Sequence, residues 1–205
     1  MPDPGPIVFV VDDDISVREA LRSFIRSVGL RCETFATAAE FLAHPRPDSP
    51  ACLVLDVELP GESGLDLPTE LRDEGARLPV IFITGHGTIP MSVRAMKAGA
   101  LEFLTKPFSE RELLDAIQLA LVRDREGRAR RAQQQALRER FGQLTARERE
   151  VFALVVTGRM NKEIAAELGT VEQTIKQHRG RVMQKLGARS VADLVHLSER
   201  LAATE

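Results

Sequence analysis

Acidic residues, a threonine and a lysine follow four apolar runs of this sequence, and together they could carry phosphoryl chemistry. Residues 12–14 are three aspartates directly after the first run, Asp56 ends the third run, Thr84 ends the fourth, and Lys106 follows the fifth. Gathered carboxylates repel each other unless a cation joins them, and oxygen ligands without His or Cys favour Mg²⁺. Beside such a cation, a carboxylate can attack phosphorus while a lysine and a hydroxyl neutralise the phosphoryl oxygens.

Apolar runs that alternate with amphipathic stretches in residues 1–122 predict the sheet that positions these side chains. Runs that are apolar at nearly every position suit strands buried on both faces, as in a parallel sheet covered by helices. In a doubly wound sheet, chemistry gathers at the carboxyl ends of the strands. We therefore predict an α/β fold with a doubly wound, parallel, five-stranded sheet. The predicted strands are 7–11, 30–35, 52–56, 79–84 and 101–105.

Helical spacing of apolar residues predicts five helices between and after these strands. Pro68 lies within the third of them, where it removes one backbone hydrogen bond, so this helix is predicted to be distorted or to start late. The predicted helices are 16–28, 37–43, 64–74, 89–98 and a fifth from residue 109 onward.

After Leu144 no strand pattern remains, and four short segments predict an all-α, four-helix arrangement. Thr145 followed three residues later by Glu148 is a capping-box pattern at the start of the first segment. Gly158 and Gly169 close the first two segments. The tight turn between the second and third segments predicts a helix-turn-helix.

The third of these segments has one apolar face and one face that suits DNA. Ile175, Val182 and Leu186 share the apolar face. The opposite face carries hydrogen-bonding and cationic side chains, and residues 173–185 contain no acid. Such a face fits the major groove, where Lys and Arg read guanine and Gln reads adenine.

Composition is typical of a globular protein with two small domains. The chain has 205 residues, of which 43% are hydrophobic and 28% charged. The net charge of −2 averages an acidic part, −8 over residues 1–122, and a basic part, +6 over residues 123–205. No apolar run is long enough for a membrane span, and the first residues do not resemble a secretory signal. We therefore predict a cytoplasmic protein without a membrane partner, whose basic part suits nucleic acid.

The strings VFVVDDDISVR, CLVLDVELPGESGLDL, VIFITGHGTIPMSVRAMKAGA and EFLTKPF resemble the CheY-like, flavodoxin-like receiver domain of two-component response regulators, in particular the FixJ-like branch. The resemblance implies that Asp56 accepts a phosphoryl group from a sensor histidine kinase. It also implies that Thr84 and Lys106 contact the phosphoryl oxygens and that Phe103 is the switch aromatic, with Lys106-Pro107 as a cis bond. The implied magnesium ligands are Asp12, Asp13, Asp56 and the backbone carbonyl of Glu58.

The string LTAREREVFALVVTGRMNKEIAAELGTVEQTIKQHRGRVMQKLGARSVADLV resembles the LuxR-type helix-turn-helix domain. The resemblance implies binding of double-stranded DNA, with Lys176, Gln177 and Arg181 facing the bases. Gln173 lies on the same outer face, and the implied phosphate contacts are Asn161, Lys162, Thr174 and Arg179. In one departure from the family, Val171 stands where Ser or Thr usually caps the recognition helix, so Thr170 is expected to cap it one residue early.

These resemblances set the predicted domain bounds. The receiver domain is predicted over residues 5–122 and the LuxR-type DNA-binding domain over residues 142–205. Residues 123–141 are polar almost all round and rich in helix formers, which predicts a helical linker.

The implied function is that of a phosphorylation-activated transcription regulator of a two-component system, and not of an enzyme. The implied partners are the kinase, DNA, RNA polymerase and, after phosphorylation, a second copy of the chain. Activation is the expectation from the family, and repression stays open. A regulator with a vestigial receiver is disfavoured because no position of the site is missing.

One alternative comes from another class of function. Asp56 and Glu58 have the spacing of a nucleophile and a general acid in a phosphohydrolase with an Asp nucleophile. Against it, the second acid of those enzymes is Asp, and the chain continues into a basic helical segment without a substrate-capping insertion.

Overall fold

The computed structural model describes residues 5–60, 62–73 and 78–202. The chain divides into two compact units, residues 1–128 and 129–205. The strands of the first unit are β1 (Ile7–Val11), β2 (Arg31–Phe35), β3 (Ala51–Asp56), β4 (Glu58–Leu59), β5 (Glu62–Ser63), β6 (Val80–Thr84) and β7 (Glu102–Thr105). The helices that begin in it are α1 (Ile15–Ser27), α2 (Ala38–Ala43), α3 (Leu67–Asp73), α4 (Ile89–Lys97) and α5 (Glu110–Gly142).

Five of these strands form one parallel sheet in the order β2-β1-β3-β6-β7. They are the five predicted strands, so the doubly wound, five-stranded α/β fold is confirmed. The sequence did not predict β4 and β5, which pair antiparallel as a short hairpin directly after β3. This hairpin lies at the end of the sheet where the predicted acidic residues gather.

Both faces of the sheet are buried, as the continuously apolar runs indicated. Phe9 and Leu53 point into one core cluster, and their neighbours Val10 and Val54 point into a second one on the opposite face. Alternate residues of a strand face opposite sides of the sheet, so continuously apolar strands give both faces an apolar surface. Helices cover both of these surfaces. The sheet therefore holds the carboxyl ends of its strands in fixed positions.

The third helix starts late, as Pro68 indicated. It begins at Leu67, so Pro68 is its second residue and lies in the first turn. The N–H groups of the first turn have no partner within the helix, so the lack of an N–H in Pro68 costs no helical hydrogen bond. The predicted start at Gly64 was therefore wrong, because residues 64–66 form a turn. The predicted end, Glu74, lies outside the described residues.

The second unit contains the four predicted helices. They are α6 (Ala146–Val156), α7 (Asn161–Glu167), α8 (Glu172–Leu186) and α9 (Val191–Ala202). Thr145 and Glu148 form the predicted capping box at the start of α6. Ile175, Val182 and Leu186 of α8 are buried in the core of this unit, which confirms the predicted apolar face.

Helix α5 covers all of the predicted linker, residues 123–141, and the two units divide within it after Arg128. The backbone N–H of Ala51 donates a hydrogen bond to Asp124 Oδ2 over 3.0 Å, and Arg128 forms an ion pair with Asp48. These contacts hold α5 against the first unit as far as the division. Among the described residues, no helix combines the length and the apolar character that a membrane span requires.

Candidate functional sites

Three aspartates meet at the carboxyl end of the parallel sheet. Asp12 follows β1 and Asp56 ends β3, and these strands are neighbours with Val11 opposite Leu55. One carboxylate oxygen from each of Asp12, Asp13 and Asp56 lies within 4.8 Å of the others. Asp12 and Asp56 are buried, whereas Asp13 is exposed. The cluster therefore combines a protected interior with an opening to solvent.

Lys106 holds the two buried carboxylates together. Its Nζ lies 2.7 Å from Asp12 Oδ2 and 2.6 Å from Asp56 Oδ2. Burial alone lowers the pKa of Lys106, but its hydrogen bonds to the two carboxylates and their negative charges together outweigh burial and raise that pKa above its ordinary value. Burial also raises the pKa of Asp12, against the opposing effect of Lys106. Lys106 is therefore a fixed cation beside Asp56.

The donor set fits a hard divalent cation. Asp12, Asp13 and Asp56 offer oxygen ligands at mutual distances that one ion can bridge, which is the chemistry that Mg²⁺ prefers. Glu58, whose carbonyl the resemblance adds to this set, donates its backbone N–H to Asp56 Oδ1 over 3.0 Å. That bond fixes the start of the β4–β5 hairpin beside the cluster.

Asp14 has a structural role that differs from that of Asp12 and Asp13. Its carboxylate accepts a hydrogen bond from the backbone N–H of Ser16 over 2.7 Å and so caps α1. This bond is the first cause of a lowered Asp14 pKa. The backbone N–H of Asp14 also donates to Asp12 Oδ1 over 2.9 Å. The run of three aspartates therefore divides between the cluster and the helix cap.

Thr84 lies on β6, which is next to β3, and Phe103 lies on β7, which is next to β6. Thr84 ends β6, is fully buried, and accepts a hydrogen bond through Oγ1 from the backbone N–H of His86 over 3.2 Å. Phe103 lies in β7, half-buried against the core cluster that contains Phe82. A β carbon added to Gly87 would lie 3.3 Å from the Phe103 ring. The loop after β6 is therefore hydrogen-bonded to Thr84 and passes close to Phe103.

His86 and Glu58 form a contact that the sequence did not indicate. His86 Nδ1 lies 3.4 Å from Glu58 Oε2, and both side chains are exposed. His86 lies in the loop after β6 and Glu58 is the first residue of β4, and their backbone N–H groups bond the side chains of Thr84 and Asp56 respectively. Residues 28 apart in the sequence meet here because β3 and β6 are neighbours in the sheet.

Gly64 was also missed by the sequence reasoning. A β carbon at Gly64 would overlap the backbone carbonyl oxygen of Asp56 and lie 3.2 Å from the α carbon of Val57. Two backbone segments therefore approach so closely that any side chain must displace one of them. No local pattern in the sequence indicates this approach, because it depends on the β4–β5 hairpin folding back onto the end of β3.

We expect Gly64→Ala to destabilise the first unit by about 1–3 kcal/mol, because the added methyl group has to push the Asp56 backbone aside. The melting temperature of the full chain measures this loss. Gly142→Ala is the matched control, since a β carbon there meets nothing within 4 Å. A Gly64→Ala melting temperature equal to that of the control would contradict the close approach.

The second unit presents the predicted DNA-facing residues on α7 and α8. Lys176, Gln177 and Arg181 are exposed on the side of α8 opposite its buried face. Gln173 and Lys162 are exposed as well, and Thr174 is half-buried. Side chains that read base edges need this exposure on a helix that is held by its other face.

Two predicted phosphate contacts are joined to each other. Arg179 Nη1 donates a hydrogen bond to Asn161 Oδ1 over 3.0 Å. Asn161 is the first residue of α7, so the bond links the recognition helix to the helix before it. It fixes the direction of the Arg179 guanidinium, whose other N–H groups can still donate.

Helix α8 starts without a side-chain cap. Its N-cap residue is Val171, and no side chain bonds the first-turn N–H groups from that position. The expectation that Thr170 caps the helix one residue early was therefore wrong: Thr170 precedes the N-cap, and its backbone N–H bonds the carbonyl of Ala165 instead. A Ser or Thr at the N-cap typically adds about 1 kcal/mol of stability, which this helix lacks.

Two family models match the chain in the order of its units. The model of the response regulator receiver domain matches residues 8–118. The model of bacterial regulatory proteins of the luxR family matches residues 142–198. The first match covers the aspartate cluster with Lys106, and the second covers α7 and α8.

Relatives are similar over nearly the whole length. The chain is 54% identical over 195 residues to Nodulation protein W of Bradyrhizobium diazoefficiens, which covers 95% of this chain and 86% of the relative. The solved structure of the response regulator StyR is 54% identical with a TM-score of 0.84, covering 95% of this chain and 98% of StyR. Full-length FixJ from B. japonicum is 34% identical with a TM-score of 0.58, covering 97% and 98%.

Proposed function

Since this chain belongs to the two-component response regulators, with a receiver domain followed by a LuxR-type DNA-binding domain, we propose that phosphorylation of Asp56 by a sensor histidine kinase controls its binding to DNA. The chain is a transcription regulator, and the proposal assigns the switch to particular residues. The domains are residues 5–122 and 142–205, joined by the helical linker 123–141, and the protein acts in the cytoplasm.

The placement of Lys106 between Asp56 and Asp12 is the observation that carries this proposal. An Asp56 oxygen bonds to phosphorus while the bond from phosphorus to the kinase histidine breaks, and the electron pair returns to that histidine. Lys106, already at 2.6 Å from the attacking carboxylate, neutralises the phosphoryl oxygens. A Mg²⁺ held by Asp12, Asp13, Asp56 and the Glu58 carbonyl would supply further neutralisation of the same oxygens.

The buried hydroxyl of Thr84 couples this chemistry to the surface. A phosphoryl group adds about −1.5 to −2 charges at the cluster and offers new acceptors. When Thr84 turns to donate to them, its oxygen leaves the backbone N–H of His86. The loop that carries Gly87 then moves, and Phe103 turns into the space that Thr84 vacates. The change reaches α4, which begins two residues after Gly87.

The phosphohydrolase alternative finds no support. Its general acid would be Glu58, but this side chain is exposed and lies against His86. The relatives described above are regulators, and the chain continues into a DNA-binding domain. We therefore propose that Asp56 is phosphorylated as a signal and that the chain does not turn over phosphate esters as an enzyme.

The exposed side of α4 supports dimerisation after phosphorylation. Ile89, Val93 and Met96 are 82%, 45% and 50% exposed, and their spacing of four and three residues puts them on one side of the helix. An exposed apolar stripe of this kind is typical of a surface that a partner covers. It lies on the element that the Thr84 loop moves, so we propose that two phosphorylated chains pair there.

We expect Met96→Lys to weaken phosphorylation-driven dimerisation by at least about tenfold, because the apolar stripe of each chain would then carry a lysine whose charge is buried in the dimer interface. Sedimentation of the full chain after treatment with acetyl phosphate and Mg²⁺ measures the dimer. Val28→Lys, at another exposed apolar residue at the end of α1, is the matched control. If Met96→Lys forms dimers at the same protein concentration as the wild type, pairing through α4 is contradicted.

Recognition of DNA is assigned to the outer face of α8. Lys176, Gln177 and Arg181 reach base edges in the major groove, and Gln173 lies beside them. Asn161, Lys162, Thr174 and Arg179 bond the phosphates on either side. Each chain of the dimer reads one half of a two-fold-symmetric site. Regulation of transcription through RNA polymerase is the effect that we propose for the bound dimer.

We expect Arg181→Ala to lower the affinity for a selected DNA site by about 1–3 kcal/mol and to relax the preference at one base pair. Binding of the full chain to a set of single-base variants of that site measures both effects. Arg179→Ala is the comparison, since loss of a phosphate contact lowers affinity for every sequence alike. An equal loss on every sequence for Arg181→Ala would show that it touches phosphate alone.

A further inference from the structure

Val171 is an exposed apolar residue at a position where a polar one would stabilise the helix. It is the N-cap residue of α8, and its carbonyl oxygen accepts hydrogen bonds from the backbone N–H groups of Thr174 and Ile175 over 3.0 and 3.3 Å. The side chain makes no capping bond and is 64% exposed. It also lies outside the hydrophobic core of the second unit as described in residues 129–202. Within the folded domain, Val171 therefore supplies neither a cap nor a core contact.

The position of Val171 puts it at the end of α8 that meets DNA. The residues at the amino end of a recognition helix contact base edges in the major groove. The exposed side chains that follow as far as Gln177 are all polar; they are Glu172, Gln173, Lys176 and Gln177. Of the large apolar side chains described in residues 129–202, Val171 and Met160 are the exposed ones, and Val171 is the one on the reading helix.

We propose that Val171 is a specificity-determining residue that reads a thymine methyl group in the major groove. This inference rests on the proposed binding of α8 in that groove. The C5-methyl of thymine is the apolar group that base edges present there. Contact between this methyl group and Val171 removes the exposed valine methyl groups from water, which is favourable. A Ser or Thr at the same position would bury less apolar surface against the thymine methyl group, because its side chain carries a hydroxyl. The helix gives up a cap, and the complex gains an apolar contact that is specific for thymine.

Replacing thymine by uracil in a DNA duplex tests this contact, because uracil lacks the methyl group and keeps every hydrogen-bonding atom. Wild-type full chain, phosphorylated with acetyl phosphate, first selects sites from a library of randomised duplexes. Each thymine of a selected site is then replaced singly by uracil, and the dissociation constants are compared. At one thymine in each half-site we expect about fourfold weaker binding, which corresponds to the roughly 0.8 kcal/mol of one buried methyl group. For Val171→Ser we expect equal affinity for thymine and uracil at that position.

Met160→Ser is the matched control, because Met160 is the N-cap residue of α7, is 70% exposed and has a side chain that likewise makes no capping hydrogen bond. We expect it to keep the wild-type loss on uracil. Both serine variants should unfold at or above the wild-type temperature, since Ser is a favourable N-cap residue. A uracil loss in Val171→Ser equal to that of the wild type, or none in the wild type, would overturn the assignment of Val171. A wild-type chain that enriches no sequence at all would overturn the proposed reading of DNA itself.

Discussion

Asp56→Asn is expected to abolish transfer of a phosphoryl group to the chain and, with it, phosphorylation-driven dimerisation. An amide oxygen is a far weaker nucleophile than a carboxylate, and Asp56 is the carboxylate that pairs with Lys106 at the centre of the cluster. The fold should persist, because Lys106 keeps its bond of 2.7 Å to Asp12. Incorporation of labelled phosphate from acetyl phosphate, followed by sedimentation of the same samples, measures both losses.

The matched control is Asp66→Asn, which makes the same substitution at an exposed aspartate in the turn before α3. It should take up label at the wild-type level and dimerise normally. Full labelling of Asp56→Asn would contradict the assignment of Asp56, and the labelled peptide would then identify the residue that accepts the group.

Lys185→Met is expected to produce the largest loss of stability in the DNA-binding domain. The Glu148 side chain is 3% exposed, and its Oε2 accepts hydrogen bonds from Lys185 Nζ over 2.6 Å and from the Thr145 backbone N–H over 2.9 Å. The pair joins the start of α6 to the end of α8. Its loss leaves a buried carboxylate with one partner fewer, which typically costs about 2–3 kcal/mol in such a site. For a domain of this size the melting temperature should fall by roughly 8–20 °C.

The same pair makes the stability of this domain depend on pH. The hydrogen bond from Lys185, followed by that from the Thr145 N–H, holds the pKa of Glu148 below its ordinary value of 4.5. A carboxyl group with a lowered pKa adds stability that is complete above its unfolded-state pKa and is lost as the pH falls through its folded-state pKa. In Lys185→Met this hydrogen bond no longer lowers the Glu148 pKa, so the variant should lose less stability than the wild type as the pH falls.

Calorimetry of the full chain across this pH range measures both effects of the Lys185 substitution, with Lys162→Met as the control because Lys162 is exposed on α7. Equal melting temperatures for the two variants at neutral pH would contradict a stabilising Glu148–Lys185 pair. A Lys185→Met curve parallel to that of the wild type below neutral pH would contradict the assignment of the pH dependence to Glu148.

Features carried by short stretches of sequence were predictable. The runs IVFVV and VIFIT are apolar throughout, so they had to be strands buried on both faces, and a parallel sheet then brings Asp12, Asp56 and Lys106 to one edge. The capping box at Thr145 was equally local. In each case the residue pattern and the element it forms lie within a few positions of each other.

Features that depend on distant segments were not predictable. The overlap of a Gly64 side chain with the Asp56 carbonyl exists because the β4–β5 hairpin folds back onto the end of β3. The contact of His86 with Glu58 depends on which strands are neighbours. The Thr170 expectation failed for a different reason: a residue of capping type close to a helix start is not a cap unless the backbone places it at the N-cap position, and that position is held by Val171.

Control of DNA binding by phosphorylation of Asp56 is tested most directly by one titration. A duplex selected by the wild-type chain is titrated with full-length wild type and with Asp56→Asn, each with and without acetyl phosphate and Mg²⁺. We expect acetyl phosphate to tighten binding of the wild type by at least about fivefold, in the usual range for coupled sites, and to leave Asp56→Asn unchanged. Equal affinity of the wild type with and without acetyl phosphate, or the same increase in affinity in Asp56→Asn, would contradict control of DNA binding by phosphorylation of Asp56.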